Sequence, residues 1–425
     1  MKAIKAYTNI LKLSVNMTMR RTVVKNYPLI AYIEPTSYCN LRCPACPTGL
    51  RLGLRSAATL KLDLFTSMID EIGDYLFLLY MYNWGEPLLH KQTPELIAYA
   101  KQKDIRVVSS SNLSVKLTDD YIERLVRSGL DNLIVSLDGA TEETYQKYRR
   151  RGKHALVIEN MSRIQAMKKT LNLTTPTITC QFLVARHNEH EMDMMRAKYK
   201  EWGADQLAFG AMQMPFEPYN DGFEPSTIPL YNLSDPTHLS HISGKRQLQS
   251  KRPCSWLYGT VVMNPNGKVS PCCGVADEKY DFGEYSPSQG FFDVWNSEKY
   301  KQARTLFSQA WTPFWKKAPS KEPEIFDIKG MGTNIERKPD ELICQKCPIP
   351  YHQYDAVKMI FQIAGDHIMH FKSKKDMRYF MPLLLLSASM LMNLHDPNIL
   401  HGMVRWIRKR GLNWMPVFGK LSPQE

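Results

Sequence analysis

The stretch that decides the fold is SYCNLRCPACPTG, Ser37 to Gly49, with Cys39, Cys43 and Cys46 at C-x3-C-x2-C spacing. It follows LIAYIE (29–34), a short apolar run typical of a buried strand. Three thiolates can hold three corners of a [4Fe–4S] cube and leave one iron open. The spacing therefore predicts an iron–sulfur cluster that keeps one position for a small chelating ligand, at the end of the first strand.

From Leu29 to about Gly210, strand-like runs alternate with helical stretches, which predicts parallel βαβ units of the α/β class. The predicted strands are 29–34, 76–82, 105–111, 132–138, 177–184 and 206–210. The predicted helices are 61–75, 93–104, 118–129 with Thr118 as N-cap, and 191–202. Six strands predict a partial (β/α)6 TIM-like barrel. Polar groups follow the strands in WGEPLLH (84–90), SSSN (109–112) and SLDG (136–139), at the edge where such barrels carry active sites.

These motifs, in this order, resemble the radical S-adenosylmethionine (radical SAM) enzymes, over roughly residues 29–350. The resemblance implies that the amino and carboxylate groups of S-adenosylmethionine occupy the open iron. It also implies that the reduced cluster cleaves the cofactor's C–S bond, and that the 5′-deoxyadenosyl radical takes hydrogen from a substrate C–H. The chain is accordingly expected to be an enzyme.

The resemblance also assigns cofactor-binding residues. Gly85, Glu86 and Pro87 match the motif that grips the methionine amine, with Trp84 in place of the usual first glycine. Arg149, or its neighbour Arg150, is expected to pair with the methionyl carboxylate. The remaining contacts to ribose and carboxylate are expected from Ser111, Asn112, Ser136 and Asp138. Ala45 stands where many members place an aromatic ring, so adenine packing must come from elsewhere.

A second cysteine set lies further along the chain, in C-x12-G-x4-C and C-x2-C spacing. It consists of Cys254, Cys272, Cys344 and Cys347. The set resembles the SPASM/Twitch extension of radical SAM enzymes and implies one auxiliary [4Fe–4S] cluster. Four thiolates would leave no open iron, which favours electron transfer over substrate binding. Cys273 is the alternative to Cys272 as ligand. The alternative to two iron–sulfur clusters is one structural zinc site built from the two C-x2-C pairs, 43–46 and 344–347.

Two further residue groups have structural explanations. Cys180, inside a predicted strand, is expected to pack as a small apolar side chain, with hydrogen donation to substrate as the minor alternative. His187 and His190 are expected to be solvated histidines at a helix start, because no zinc-ligand spacing accompanies them.

The domain plan has five parts, which are a basic amphipathic helix (1–28), the barrel (29–236), a linker (237–253), the SPASM/Twitch domain (254–350) and a basic helical extension (351–425). Residues 1–33 hold six Lys or Arg and no acid, and residues 357–425 hold ten basic and four acidic residues, so the ends supply most of the net charge of +13. The basic ends have two open interpretations. They contact an anionic membrane surface, or they pack on the barrel and expose a solvated basic side. Nucleic acid is disfavoured, because no recognised binding fold accompanies the charge.

No signal peptide is recognised, and the nine cysteines favour a cytoplasmic protein, placed at the inner membrane surface if the basic ends bind lipid. The favoured reaction is oxidation of a sugar, nucleoside or lipid-linked glycan, with the auxiliary cluster accepting an electron. A flavodoxin or ferredoxin is the expected reductant. The alternatives are a peptide-modifying maturase and, in another class, a non-catalytic iron–sulfur or zinc protein. The sequence identifies neither the substrate nor a catalytic base.

Overall fold

The computed structural model describes residues 2–212, 222–232 and 254–308. The helices are α1 (Lys2–Thr18), α2 (Leu62–Ile72), α3 (Thr93–Gln102), α4 (Asp119–Arg127), α5 (Glu142–Tyr148), α6 (His154–Thr170), α7 (Met192–Lys198), α8 (Trp256–Gly259), α9 (Phe291–Trp295) and α10 (Glu298–Ser308). The strands are β1 (Ile30–Ile33), β2 (Leu78–Tyr80), β3 (Arg106–Ser111), β4 (Asn132–Ser136), β5 (Thr177–Val184), β6 (Gln206–Ala211), β7 (Thr260–Met263), β8 (Lys268–Ser270) and β9 (Gly283–Glu284).

The strands form one nine-stranded sheet in the order β6-β5-β4-β3-β2-β1-β7-β8-β9. Strands β1 to β6 pair in parallel with their sequence neighbours, which confirms the partial barrel. The cysteine-rich segment is not packed as a separate unit beside this sheet. Its strand β7 pairs in parallel with β1, with Ile30 opposite Thr260, and β8 and β9 continue antiparallel. Cys272 and Cys273 therefore lie just past β8, a strand that extends the barrel sheet.

Alternation along the strands separates two faces of the sheet. In β5, Ile178 and Cys180 are buried, whereas Thr179 and Gln181 are half-buried. The buried residues join the core formed with the helices, and the half-buried residues line the inner face of the barrel. Cys180 is fully buried in that core, as expected for a packing thiol.

Two helices begin where the sequence predicts, at a capping residue or a proline. The Thr118 side chain accepts a hydrogen bond from the amide of Tyr121, which confirms the predicted cap of α4. Pro94 lies in the first turn of α3, where its missing N–H is not needed. Two helices between β4 and β5, α5 and α6, were not predicted.

Helix α1 packs on the body of the protein. Ile10, Leu13 and Met17 on its apolar face are almost fully buried, while Lys12 is exposed and Lys5 pairs with Asp74 at 2.6 Å. The apolar face is thus used for packing, and contact of the basic side with a membrane stays a prediction. No helix within the described residues is long and apolar enough to cross a membrane. The predicted linker (237–253), the extension (351–425), Cys344 and Cys347 lie outside the described residues.

Candidate iron–sulfur and cofactor site

The three cysteines of the first motif lie together on the loop after β1. Cys43 is buried and Cys39 and Cys46 are half-buried, in a small apolar cluster that includes Leu41 and Tyr148. All seven cysteines of the described segments are free thiols. A cluster with three protein ligands needs thiols that converge from one loop, and this loop provides them.

N–H donors surround the three sulfurs. The Leu41 amide lies 3.5 Å and the Asn112 side-chain amide 3.8 Å from the sulfur of Cys39. A guanidinium nitrogen of Arg149 lies 3.9 Å from the sulfur of Cys43. The amides of Thr48 and Gly49 donate to Cys46. Hydrogen bonds to the sulfurs are one means by which proteins tune iron–sulfur clusters, so this donor set fits thiolate ligands.

Burial and mutual repulsion disfavour three bare thiolates at this loop. Burial raises the pKa of Cys39 to about 12, and the charges of Glu86, Cys43 and Cys46 add to the rise. Burial raises the pKa of Cys43 to about 11 against the attraction of Arg149. The site therefore favours neutral thiols by themselves and thiolates when a cationic centre is bound. In chemistry and placement, the loop fits a [4Fe–4S] cluster.

Within the described residues, no group of three or more His, Cys, Asp or Glu side chains is close enough to hold a single metal ion. The zinc alternative needs Cys344 and Cys347, which fall outside those residues.

Gly85 is held against the cysteine loop. A Cβ at this position would stand 1.9 Å from the carbonyl oxygen of Thr36, so only glycine fits. The next amide, of Glu86, donates to the carbonyl of Tyr38 at 2.7 Å. Pro87 opens a short 3-10 helix that fixes the exit of the turn. The Trp84–Glu86 turn and the cysteine loop thus form one tightly joined unit.

The carboxylate of Glu86 is buried and already hydrogen-bonded within the protein. One oxygen accepts from Leu88 N at 3.0 Å and from Ser111 Oγ at 2.7 Å, and the other from Asn112 N at 2.8 Å. Burial raises the pKa of Glu86 against these donors. Glu86 and Ser111 thereby lock the second strand-end loop to the third. Contact of either with S-adenosylmethionine stays a prediction.

The predicted Asp138 and Arg149 are paired with each other. Arg149 Nε donates to one oxygen of Asp138, and the amide of Leu183 donates to the other at 2.8 Å. Asp138 is fully buried and the Arg149 side chain is 14% exposed, at the edge that carries the cysteine loop. Ser136 is buried at the end of the same strand, β4. The guanidinium of Arg149 reaches the cysteine loop, and the backbone carbonyl of Arg150 accepts from the amide of Arg42 on the same loop.

The second cysteine set is visible in part. Cys254 directly precedes α8, and Cys272 and Cys273 follow β8. Cys273 lies near three inner-face tyrosines, Tyr32, Tyr80 and Tyr82, whose pKa is raised by burial and further by this thiol. This orientation towards the barrel fits the assignment of Cys272 as cluster ligand, which stays a prediction.

One expectation about the histidines is wrong. His190 is exposed, but both ring nitrogens of His187 are buried without a hydrogen-bond partner in the described part of the chain. The ring packs edge-on against Phe223, with centroids 4.9 Å apart. Burial lowers the pKa of His187 to about 4. Tertiary packing by the distant Phe223 segment produces this environment, and no local sequence signal indicates it.

Sequence reasoning also missed Glu34, Arg55 and Asp281. Arg55, past the cysteine loop, pairs at 2.6 Å with Asp281 of the cysteine-rich segment, and both side chains are nearly buried. Glu34 is fully buried at the end of β1. The sequence does hold one signal for Glu34, because an acid that ends an apolar strand is buried with the strand. A buried carboxylate needs hydrogen-bond donors or a cation.

The comparisons with known proteins agree with this geometry. The Radical SAM superfamily model matches residues 33–195, and a model of the SPASM iron–sulfur cluster-binding domain matches residues 254–348. The chain belongs to the radical SAM superfamily. It also carries a SPASM domain. The radical SAM domain binds a [4Fe–4S] cluster and S-adenosylmethionine, and the SPASM domain binds auxiliary iron–sulfur centres, as the sequence predicted.

Curated relatives are distant. The PqqA peptide cyclase of Xanthomonas campestris is 23% identical over 314 residues, covering 67% of this chain and 77% of that protein. An AdoMet-dependent heme synthase of Methanosarcina barkeri is 32% identical over 124 residues, covering 29% and 35%. The crystal structure of Streptococcus suis SuiB bound to S-adenosylmethionine has a TM-score of 0.50 and 13% identity, covering 67% of this chain and 69% of that one. The structural likeness concerns the fold alone.

Proposed function

We propose that this radical SAM enzyme modifies a peptide, abstracting hydrogen from one of its C–H bonds. The observation that carries the enzyme class is the cysteine loop joined to the Trp84–Glu86 turn at the mouth of the barrel. The relatives named PqqA peptide cyclase support a peptide substrate, in preference to the sugar, nucleoside or lipid-linked glycan that the sequence analysis placed first. When held by Cys39, Cys43 and Cys46, a reduced [4Fe–4S] cluster would supply the electron that splits S-adenosylmethionine into methionine and the 5′-deoxyadenosyl radical.

The inner face of the barrel offers a surface suited to a peptide. Tyr32 and Tyr80 stack with centroids 4.4 Å apart on β1 and β2, and Trp256 packs on Tyr32 at 5.3 Å. Across the barrel, Asn132 and Gln181 are half-buried polar residues on β4 and β5. Aromatic surface opposite amide donors and acceptors suits a substrate that carries both side chains and backbone amides.

The test compares substrate mixtures on one reconstituted enzyme. After anaerobic reconstitution and dithionite reduction, the enzyme is given S-adenosylmethionine with either a synthetic peptide library or a mixture of nucleosides and monosaccharides. We expect the peptides to increase the formation of 5′-deoxyadenosine. We also expect mass spectrometry to show that modified peptides have lost hydrogen atoms. Stimulation and mass change confined to the sugar mixture would contradict it.

A variant pair ties the substrate to the inner face. Gln181→Leu removes an amide group from β5 and is expected to reduce peptide modification while leaving peptide-independent cleavage of S-adenosylmethionine unchanged. Gln165→Leu is the matched control, because Gln165 lies on α6 and binds the carbonyl of Gly203. Equal effects of the two variants would argue against binding at this face.

A further inference from the structure

Arg106 is the only charged residue on strands β1 to β6 as the structure describes them. It begins β3, and the next residue, Val107, is fully buried in the core formed with the helices. Because side chains alternate along a strand, Arg106 lies on the opposite face, which lines the barrel. The residue is exposed there. A single positive charge therefore stands on an inner face whose strands are otherwise neutral.

No side chain in the described part of the chain neutralises this charge. The guanidinium of Arg106 makes no hydrogen bond and no ion pair with those residues. Asp131, the acid that precedes the neighbouring strand β4, is committed to another cation. One of its oxygens accepts from Lys101 of α3 and from the amide of Val107, both at 2.7 Å. Arg106 therefore keeps its hydrogen-bond donors for an anion from elsewhere.

An aromatic strip begins beside Arg106 on the same face. Tyr80 on β2 lies within electrostatic range of Arg106. The Tyr80 ring stacks on Tyr32 of β1 with centroids 4.4 Å apart, and Trp256 packs on Tyr32 at 5.3 Å. All three aromatic residues are half-buried, so each keeps surface that a ligand can contact. Rings beside the guanidinium lower the local dielectric constant, which strengthens its attraction for an anion.

Arg106 and the cysteine loop lie at opposite ends of the barrel strands. Ser111 ends β3 and donates to Glu86, and the next side chain, Asn112, reaches the sulfur of Cys39. From Arg106 to Ser111 the strand rises by about 17 Å. A peptide covers this distance with about five extended residues. A single sugar is too short to reach from the cysteine loop to Arg106, whereas a peptide is not.

We propose that Arg106 binds a carboxylate of the substrate, several residues away from the residue that is modified. Arg106 is then a specificity-determining residue, and the strip of Trp256, Tyr32 and Tyr80 contacts the neighbouring apolar part of the peptide. The inference rests on the proposed peptide substrate and adds an acidic position to it.

The test uses a library of random peptides with glutamate and glutamine in equal amounts and amidated C-termini. The reconstituted holoenzyme receives the library with S-adenosylmethionine and dithionite, and tandem mass spectrometry locates the residue that has lost hydrogen. At about four to six residues from that position, we expect glutamate to exceed glutamine about fivefold, the upper end for an exposed ion pair. A second library without acidic residues but with free C-termini shows whether a terminal carboxylate at this spacing also supports binding.

Arg106→Gln removes the charge, and Arg127→Gln is the matched control. Arg127 lies on α4 and pairs with Glu123 at 2.8 Å, away from the inner face. In Arg106→Gln we expect the KM of a glutamate peptide to rise about fivefold, with the KM of its glutamine twin unchanged. Arg127→Gln should keep the wild-type preference. Arg106→Lys keeps the charge and should retain part of the preference, which separates the charge from a structural effect of the substitution.

Two results would overturn the inference while a peptide substrate stands. One is modified peptides with no preference for a carboxylate in either library. The other is the same preference for glutamate in Arg106→Gln as in wild type. A wild-type enzyme that modifies no peptide would instead overturn the proposed function, and the acidic position with it.

Discussion

Gly85→Ala adds a single methyl group at the contact between the Trp84–Glu86 turn and the cysteine loop. The new Cβ would stand 1.9 Å from the carbonyl oxygen of Thr36 and 3.0 Å from that of Tyr38, both backbone atoms. Restoring an ordinary contact of 3.4 Å requires the turn and the loop to separate by about 1.5 Å. A displacement of about 1 Å at a reacting centre can cost about 100-fold in rate. We therefore expect kcat/KM for cleavage of S-adenosylmethionine to fall at least about 100-fold.

The assay is 5′-deoxyadenosine formed per iron after dithionite reduction, with circular dichroism as the check on folding. Gly210→Ala is the control, because its nearest contact would be the flexible side chain of Leu183 at 3.3 Å. Near wild-type cleavage by Gly85→Ala would refute the reasoning, since the turn would not need its present distance from the cysteines.

Three further perturbations follow from buried charges and rings. Arg55→Met leaves Asp281 buried without its partner and should lower the free energy of unfolding by about 3–5 kcal/mol in urea titrations; a change below about 1 kcal/mol would mean that the pair is hydrated. Arg149→Met removes a cationic donor 3.9 Å from the Cys43 sulfur and should make the reduction potential of the radical SAM cluster more negative in a redox titration, whereas an unchanged potential would contradict the contact. His187 has a pKa near 4 when folded, against 6.5 for an ordinary histidine, so the unfolded chain binds the extra proton and stability falls as pH decreases from 6.5 towards 4. His187→Leu should reduce that loss in denaturation curves at both pH values, and an identical pH dependence would argue against the buried ring.

The signals that succeeded are local. The apolar runs at 29–34 and 76–82 identify β1 and β2 because buried parallel strands favour continuous apolar sequence, and the alternation in TITCQFLV (177–184) identifies β5. Thr118 identifies the start of α4 because a cap acts on the amide three residues on. The C-x3-C-x2-C spacing predicts the cluster loop because three thiols on one short loop can ligate three irons of one cluster.

The features that were missed depend on contacts distant in sequence. Pairing of β1 with β7 joins residues more than two hundred positions apart, and neither strand carries a mark of its partner. The acid at Glu86 matches a motif, but only the fold shows that Ser111 and Asn112 already bind its carboxylate. In the sequence, Glu34 is only the last residue of a predicted strand. The fold shows that its carboxylate accepts hydrogen bonds from the amides of Trp84 and Gly85.

The central claim is that the Cys39–Cys46 loop holds a cluster that cleaves S-adenosylmethionine. The most direct measurement compares iron content and dithionite-dependent 5′-deoxyadenosine in wild type and in the Cys39/Cys43/Cys46→Ala variant, both reconstituted anaerobically. We expect about eight irons to fall to about four, with nucleoside formation abolished, because the auxiliary cluster has its own ligands. A wild-type protein that holds about one zinc and forms no 5′-deoxyadenosine would contradict the account.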